Sequence, residues 1–162
     1  MRKGYETSDN AALVRRWFEE VWNKGRADAI DEMFDEEGVA HGLADEGGAP
    51  LRGPANFRAF HRQFREAFPG VEVVVDDAIT EGDRVAARCT VRGRHDGDSL
   101  GFAATKQPVE FTGMTFARVR DGKIVEAWNN FDFMSMFQQL GALRLDAPAA
   151  GPPQDEALPS TD

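Results

Sequence analysis

Hydrophobic residues near the start of the chain recur with the spacing of an α-helix. They stand at i, i+1, i+4, i+5, i+8 and i+9, and they are Leu13, Val14, Trp17, Phe18, Val21 and Trp22. Such a stripe lies on one face of a helix, because helical side chains return to the same side about every 3.6 residues. The pattern predicts an amphipathic helix that ends near Gly25, a residue suited to a left-handed C-cap.

Two further helices are predicted before residue 70. The shorter runs from about Asp28 to Asp35. The longer begins at Pro54, whose missing N–H costs little in a first helical turn, and stops at Pro69-Gly70. Its apolar stripe consists of Phe57, Phe60, Phe64 and Phe68. The pattern between these helices predicts a brief strand over residues 39–41 and a loop over residues 42–53.

After Gly70 the hydrophobic pattern changes from helical spacing to alternation, which indicates strands. Strands are predicted over residues 71–79, 84–95 and 109–120, and a fourth follows the turn Asp121-Gly122. Helices followed by a run of strands are typical of α+β folds. The predicted fold is therefore α+β, with a strongly curved, mostly antiparallel sheet wrapped around three N-terminal helices. A gap between sheet and helices would suit a pocket.

Composition favours one folded domain with a sizeable core, because 41% of the 162 residues are hydrophobic and twelve are Phe. We assign residues 9–145 to this domain, residues 1–8 to an N-terminal tail and residues 146–162 to a disordered acidic tail. The acidic tail has four carboxylates and no base, so it supplies -4 of the net charge of -9. An acidic body without a basic face argues against nucleic acid and anionic membranes as partners.

The single cysteine, Cys89, excludes an internal disulfide framework and reads as a small buried apolar residue. No apolar run approaches the roughly 20 residues that span a bilayer. A cytoplasmic protein is the expectation. The three histidines do not share a metal-ligand spacing, and no glycine-rich segment has the context of a phosphate loop. Neither a metal nor a cofactor is predicted.

The segment after Asp121-Gly122 carries the most chemistry. Alternation along a strand places five side chains on one face, namely Ile124, Glu126, Trp128, Asn130 and Asp132. If this face lines a cavity, Asp132 beside aromatic rings loses water, its pKa rises, and it becomes suited to general acid/base work. The alternative is that Asp132 caps the helix that begins at Phe133. Glu126 has the alternative of a cross-strand ion pair with an arginine such as Arg118.

His95 ends the apolar face of the strand over residues 84–95. A neutral imidazole there would orient a substrate carbonyl or share a proton with Asp132, whereas the alternative is a histidine satisfied by a backbone carbonyl. His41 is a weaker candidate for the pocket. His61 lies on the Phe-rich helix and reads more readily as a core residue.

Several short stretches, together with the order of elements, carry a resemblance to a known family. They are Ala67-Phe68-Pro69-Gly70, Glu81-Gly82-Asp83-Arg84-Val85, Gly93-Arg94-His95-Asp96-Gly97, Pro108-Val109-Glu110-Phe111-Thr112-Gly113, Asp121-Gly122-Lys123-Ile124-Val125-Glu126-Ala127-Trp128 and Gln139-Leu140-Gly141. From about Asn10 to Leu143 the chain resembles the SnoaL-like polyketide cyclases, which share the cone fold of nuclear transport factor and of ketosteroid isomerase. The resemblance implies Asp132 as general acid/base, His95 nearby and His41 facing the pocket.

The resulting hypothesis is a cofactor-independent acid/base enzyme that acts on a small apolar carbonyl compound, as a cyclase of the intramolecular aldol type or as an isomerase. Its substrate would contact His41, Trp128, Asn130, Phe60, Phe64 and Phe111. The alternatives are a non-catalytic binder of apolar small molecules and an epoxide hydrolase, in which Arg118 would bridge carboxylates. The resemblance also implies a homodimer formed through exposed strand faces that carry Met114 and Phe116.

Overall fold

The computed structural model describes residues 6–44 and 47–144. Helix α1 spans Glu6–Trp17 and continues as a π-helical segment, Phe18–Asn23. The other helices are α2 Asp28–Met33, α3 Gly53–Ala67 and α4 Phe133–Gln139, and the strands are β1 Phe34–Ala44, β2 Pro50–Arg52, β3 Glu72–Glu81, β4 Arg84–Arg94, β5 Pro108–Arg120 and β6 Lys123–Phe131. The predicted acidic tail lies outside the described residues. Within the described ranges, no helix combines the length and apolar character that a membrane crossing requires.

The strands form one open sheet in the order β2-β1-β6-β5-β4-β3. Strand β1 pairs with β6 in parallel, and the other neighbouring strands pair antiparallel. The predicted α+β class and mostly antiparallel sheet are therefore confirmed. Two details differ from the prediction: β1 is much longer than residues 39–41, and the predicted loop over residues 42–53 contains β2. The exclusion of nucleic acid and membranes and the cytoplasmic location stay predictions from composition.

One face of the sheet, here called the inner face, packs against α1, the π-helical segment and α3. Strand β4 shows the division most clearly, because Val85, Ala87 and Val91 are buried on the inner face while Arg88 and Arg92 on the outer face are exposed. Cys89 also points inward and has no exposed surface, and its burial raises the pKa of its thiol to about 11. Cys89 is therefore an inert core residue, as expected.

The π-helical segment brings two tryptophans to the same side of the helix. Residues five apart align in a π-helix, so Trp17 and Trp22 both reach Phe57 on α3, with ring centroids 5.0 and 6.2 Å away. The end of the segment docks on β3 through Asn23, whose amide donates to the carbonyl of Val73 and accepts from its N–H. An asparagine side chain thus supplies hydrogen bonds that a neighbouring strand would make.

His61 is 3% exposed and makes a 2.7 Å hydrogen bond to the carbonyl of Val21 in the π-helical segment. Burial lowers the pKa of His61 below its ordinary value of 6.5, and the bond to Val21 opposes this only in part. His61 is therefore the satisfied core residue that the sequence indicated.

This burial predicts a loss of stability in mild acid. As the pH falls through about 6.5, His61 becomes protonated in the unfolded chain but stays neutral in the folded protein. The free energy of unfolding therefore decreases with falling pH until the lower pKa of the folded state is reached. Replacement His61→Gln keeps an N–H donor and removes the titration, so its stability should fall less steeply over that range. Urea titrations at several pH values measure both slopes, and equal slopes would contradict the prediction.

Candidate active site

A narrow cavity lies between the inner face of the sheet and the helices. Its volume is about 60 Å³, and ten of its twenty-one lining residues are aromatic. The predicted contact residues Phe60, Phe64 and Phe111 are among them, whereas no Asp, Glu, Lys, Arg or His of the described residues lines it. Of the lining aromatics, Phe60, Phe131 and Phe133 are only half-buried and mark the side at which the cavity meets solvent. The cavity is thus an apolar slot suited to flat rings.

Two polar side chains interrupt this apolar wall, and they bind each other. The hydroxyl of Thr115 on β5 donates to Oδ1 of Asn129 on β6 over 2.8 Å, and Nδ2 of Asn129 donates to the backbone carbonyl of His41 on β1 over 3.0 Å. Because a carbonyl only accepts, the bond to His41 fixes which end of the amide is nitrogen. Asn129 keeps a second N–H beside the cavity.

The close approach of β1 to β6 holds Asn129 in place. Gly42 has a φ of +78°, and a Cβ added there would lie only 1.8 Å from the carbonyl oxygen of Asn129. A side chain at position 42 would therefore push β1 away from β6 and stretch the bond between Asn129 and His41.

The predicted face of β6 is wrong beyond its first residues. Ile124 pairs with Val119 and Glu126 with Arg118, so Val125 has no partner and forms a β-bulge. The extra residue reverses the alternation, so Ala127, Asn129 and Phe131 face the cavity. Glu126, Trp128 and Asn130 consequently lie on the outer face, so Trp128 and Asn130 do not line the aromatic cavity as predicted, and Asn130 borders a separate groove with Asp132.

His41 also lies on the outer face, contrary to the predicted pocket position. Its ring stacks on Trp128 with centroids 5.3 Å apart, and its Nε2 lies 2.9 Å from Oε1 of Glu126. Arg118 contacts the other oxygen of Glu126 at 3.9 Å and Asp83 at 3.6 Å. An arginine bridging two carboxylates is thus present, but none of these groups lines the cavity, so the geometry does not favour the epoxide hydrolase hypothesis.

Asp132 follows β6 and caps helix α4. Its Oδ1 accepts a 2.9 Å hydrogen bond from the backbone N–H of Ser135, and its side chain is exposed. The predicted dry environment of this carboxylate is therefore wrong, and the capping alternative describes its position. Its chain neighbours Phe131 and Phe133 line the cavity, whereas Asp132 itself borders a separate groove together with Arg88, Met114 and Asn130. A catalytic role for Asp132 stays a prediction.

Comparison with known proteins places this architecture in a family. The model of the SnoaL-like polyketide cyclases matches residues 12–140, which include the cavity and every strand. The chain belongs to the SnoaL-like polyketide cyclase family. Curated SnoaL-like relatives include the aklanonic acid methyl ester cyclase DauD of Streptomyces sp. (strain C5), which is 32% identical over 130 residues, or 80% of each chain. The cyclase AcmA of Streptomyces galilaeus is 28% identical over 135 residues, covering 83% of this chain and 92% of AcmA.

Solved structures of SnoaL-like proteins share the fold. A SnoaL-like protein of Jannaschia sp. CCS1 superposes with a TM-score of 0.76 at 25% identity, over 89% of this chain and 99% of that one. IdmH of Streptomyces antibioticus superposes with a TM-score of 0.68 at 32% identity, over 83% and 97% of the two chains. The expected family membership is confirmed.

His95, the histidine to which the SnoaL-like resemblance gives a role near Asp132, lies apart from the cavity lining. It is fully buried at the end of β4, between Phe68 and Phe102. The structure shows no direct bond between His95 and Asp132. A shared proton therefore stays a prediction. Within residues 6–44 and 47–144, no group of His, Cys, Asp and Glu side chains has the arrangement of a metal site.

The two readings of Asp132 in this SnoaL-like protein make opposite predictions. Asp132→Ala removes the helix cap and should lower the free energy of unfolding by about 1 kcal/mol, whereas Asp132→Asn keeps a capping oxygen and should cost little. If the residue only caps α4, both variants retain turnover per folded molecule. If its carboxylate is the catalytic base, Asp132→Asn folds normally and loses turnover. Chemical denaturation and turnover measured on the same preparations separate the two roles.

Proposed function

We propose that the protein binds a flat, mostly apolar carbonyl compound in the aromatic cavity and closes a ring in it by an intramolecular aldol reaction. The observation that carries the proposal is the Thr115–Asn129 pair, which places one oriented amide on an otherwise apolar wall. Sequence similarity to aklanonic acid methyl ester cyclases supports the same reaction type. A polycyclic ester with neighbouring ketones is the substrate class that fits both observations.

Asn129 would act on the oxygen of the attacked ketone. When the new carbon–carbon bond forms, negative charge develops on this oxygen, and the free N–H of Asn129 would donate a hydrogen bond to it. Thr115 and the carbonyl of His41 already hold the amide, so little reorganisation is needed as the charge develops. Preorganised donors in dry sites contribute far more than the same bonds do in water.

The proton balance of an aldol closure is simple, because the product is an isomer of the substrate. One proton leaves the carbon between two carbonyl groups, and one proton reaches the new hydroxyl oxygen. Asp132 is the carboxylate between the cavity-lining Phe131 and Phe133, and it would serve as base by turning from the N–H of Ser135 towards the cavity. A carbon flanked by two carbonyls is acidic enough that a weak base suffices, so a carboxylate suits this role.

A second function has an observation in its favour. No titratable side chain among the described residues lines the cavity. A non-catalytic binder of aromatic ketones needs only the aromatic walls and the donor of Asn129. The binder hypothesis predicts saturable binding without turnover, and affinity that does not depend on Asp132.

Incubation with aklanonic acid methyl ester tests the proposal. Liquid chromatography with mass spectrometry should show the substrate converted to a product of equal mass and different retention, faster than in buffer alone. Saturable quenching of tryptophan fluorescence without any product would replace the cyclase by the binder. Absence of both binding and product would remove the cavity from the function of this protein.

Binding also requires the cavity to open. Its volume of about 60 Å³ is below the roughly 300–1,000 Å³ of ordinary ligand pockets. The half-buried rings of Phe60, Phe131 and Phe133 are the side chains best placed to move, since they already border solvent. We expect ligand binding to change the environment of these rings more than that of the fully buried Phe34.

We also propose that the outer face joins two copies of the chain. A row of apolar side chains crosses four strands in register, from Ile79 through Ala86 and Phe116 to Trp128. Ile79 is 70% exposed and Phe116 is 42% exposed. A contiguous patch of exposed apolar side chains usually marks a protein–protein interface. The charged residues beside the row form ion pairs at its rim, an arrangement found around many interfaces.

Light scattering tests this dimer. The wild-type protein should have twice the mass of one chain, and Phe116→Glu should reduce it to a single chain, because a carboxylate would be buried without a partner. Met134→Glu is the matched control, since Met134 is 56% exposed on α4 and should leave the dimer intact. A wild-type monomer at high protein concentration would rule the dimer out.

A further inference from the structure

His95 continues the inner face of β4 beyond the cavity. Val91 lines the cavity, Gly93 follows two residues later, and His95 follows after two more, so all three point to the same side. A Cβ at Gly93 would lie only 3.2 Å from the ring of Phe68. Because glycine has no side chain, the ring of Phe68 can pack over position 93, between the cavity and His95. The rings of Phe64, on the cavity wall, and Phe68 are 5.1 Å apart. One aromatic layer therefore separates His95 from the cavity.

The backbone of Thr105 fixes the tautomer of His95. The N–H of Thr105 donates to Nδ1 of His95 over 3.0 Å, and the hydroxyl oxygen of Thr105 lies 3.1 Å from the same nitrogen. An imidazole nitrogen that accepts a hydrogen bond carries no proton, so the proton of the neutral ring is on Nε2. His95 is 0% exposed, and its Nε2 has no hydrogen-bond partner among the described residues. A buried donor without an acceptor is destabilising, so the fold retains an unfavourable group there.

The aromatic rings around His95 make a bound water an unfavourable partner for this donor. A buried water needs about 2–4 polar partners. The ring of His95 packs against the rings of Phe68, 5.5 Å away, and Phe102, 5.1 Å away, and neither ring offers a hydrogen-bonding atom. An acceptor that brings its own apolar frame, such as a ketone on an aromatic ring system, fits such surroundings better.

The cover over His95 is a loop that is fastened at both ends. At one end the N–H of Asp96 donates to the carbonyl of Ala67, and at the other the N–H of Lys106 donates to the carbonyl of His95. Between these anchors Phe102 is only half-buried and rests on His95 and on Phe137 of α4. Phe102 is thus the ring of this cover that can rotate without refolding of the loop.

We propose that His95 forms a second polar subsite, in which its Nε2–H binds an oxygen acceptor at the far end of an aromatic ketone after the rings of Phe68 and Phe102 have moved aside. The subsite rests on the proposed function, because the body of the same ligand would occupy the aromatic cavity and its first oxygen would meet Asn129. The ligand class is thereby narrowed to flat compounds with acceptor oxygens at two separated positions.

Anthraquinone, with two opposed ketones, and anthracene, with none, are the probes. Heteronuclear NMR of the histidine ring nitrogens should show the Nε2–H tautomer of His95 in the free protein, and anthraquinone but not anthracene should shift its Nε2–H signal. Fluorescence titration should show anthraquinone bound roughly tenfold more weakly by His95→Leu. His95→Gln, which keeps a donor at similar reach, should restore most of the affinity. Anthracene affinity should be the same in all three proteins.

A double variant separates the subsite from the proposed function. The losses from Asn129→Leu and His95→Leu should add, because the two donors would hold different oxygens and share no bond. If the protein has the other tautomer, or if anthraquinone leaves the Nε2–H signal unmoved, the subsite is wrong while the cyclase proposal stands. If the signal moves but aklanonic acid methyl ester is never converted, the subsite stands and the cyclase proposal fails. If anthraquinone does not bind to the wild type, the subsite is wrong, and the conversion of aklanonic acid methyl ester decides the cyclase proposal separately.

Discussion

Replacing Asn129 by leucine is expected to lower kcat for a cyclisable substrate by about 10²-fold, the usual cost of removing one preorganised donor to a developing oxyanion. Leucine has the same branched arrangement of side-chain heavy atoms, so it fits the place of the amide while the free N–H disappears. KM should change much less than kcat, because the bond to the attacked oxygen strengthens as its charge develops. Steady-state kinetics with aklanonic acid methyl ester measure both constants.

Thr115 provides the control for this prediction. Thr115→Val keeps the shape of a residue that is 6% exposed but removes the hydroxyl that donates to Asn129. The amide is then held only by the carbonyl of His41, so kcat should fall by about tenfold, less than in Asn129→Leu. Thr115→Ser returns the hydroxyl and should recover much of the rate. Wild-type kcat in Asn129→Leu would show that this amide has no part in the reaction.

The sequence predicts the inner and outer faces of β4 correctly, because an uninterrupted strand alternates without error. On β6 the same reasoning fails at one residue. The Asp121-Gly122 turn pairs Arg120 with Lys123, and continued regular pairing would place Trp128 opposite Thr115. The bulge at Val125 shifts the register by one, so Asn129 stands there instead.

Nothing in the local sequence marks that bulge. Val125 lies in an ordinary β-forming stretch. Two consecutive asparagines follow Trp128, so a register error of one position puts Asn130 where Asn129 belongs, and the residue type at the cavity is the same either way. The pairing of Thr115 with Asn129 becomes visible only when the register of both strands is known. Asp132 shows the opposite situation, because capping is local. The sequence offered both readings, and the observed position of Asp132 matches the capping reading.

The position of His41 depended on a contact between distant parts of the chain. The sequence predicts a short strand at residues 39–41 but does not indicate its partner. In the fold, β1 pairs with β6 in parallel. This pairing places His41 opposite Trp128, and both rings lie on the outer face. Parallel pairing between the first and last strands leaves no turn signal in the sequence, since no short connection joins them.

Phe57→Ala is expected to produce the largest loss of stability, about 3–5 kcal/mol, which is the usual cost of removing a fully buried aromatic ring. Phe57 is 2% exposed and touches four other rings in the cavity wall, namely Trp17, Trp22, Phe34 and Phe60. Removing it takes away contacts on every side and leaves a hole that the π-helical segment and α3 can only partly close. Such a loss is a large part of the roughly 5–15 kcal/mol that stabilises an ordinary domain.

Phe116→Ala is the matched control, because the same ring is deleted from a position that is 42% exposed on the outer face. Urea titration at a protein concentration too low for the proposed dimer should give a cost below about 1 kcal/mol for this variant. Equal costs at both positions would contradict the central place of Phe57 in the core. The hole in Phe57→Ala should also bind benzene and regain part of the lost stability, since a dry cavity lined by aromatic rings accepts an apolar ligand. The rings that hold the fold together are thus the same rings that a flat substrate would contact, so substrate binding and stability should respond together to changes in this wall.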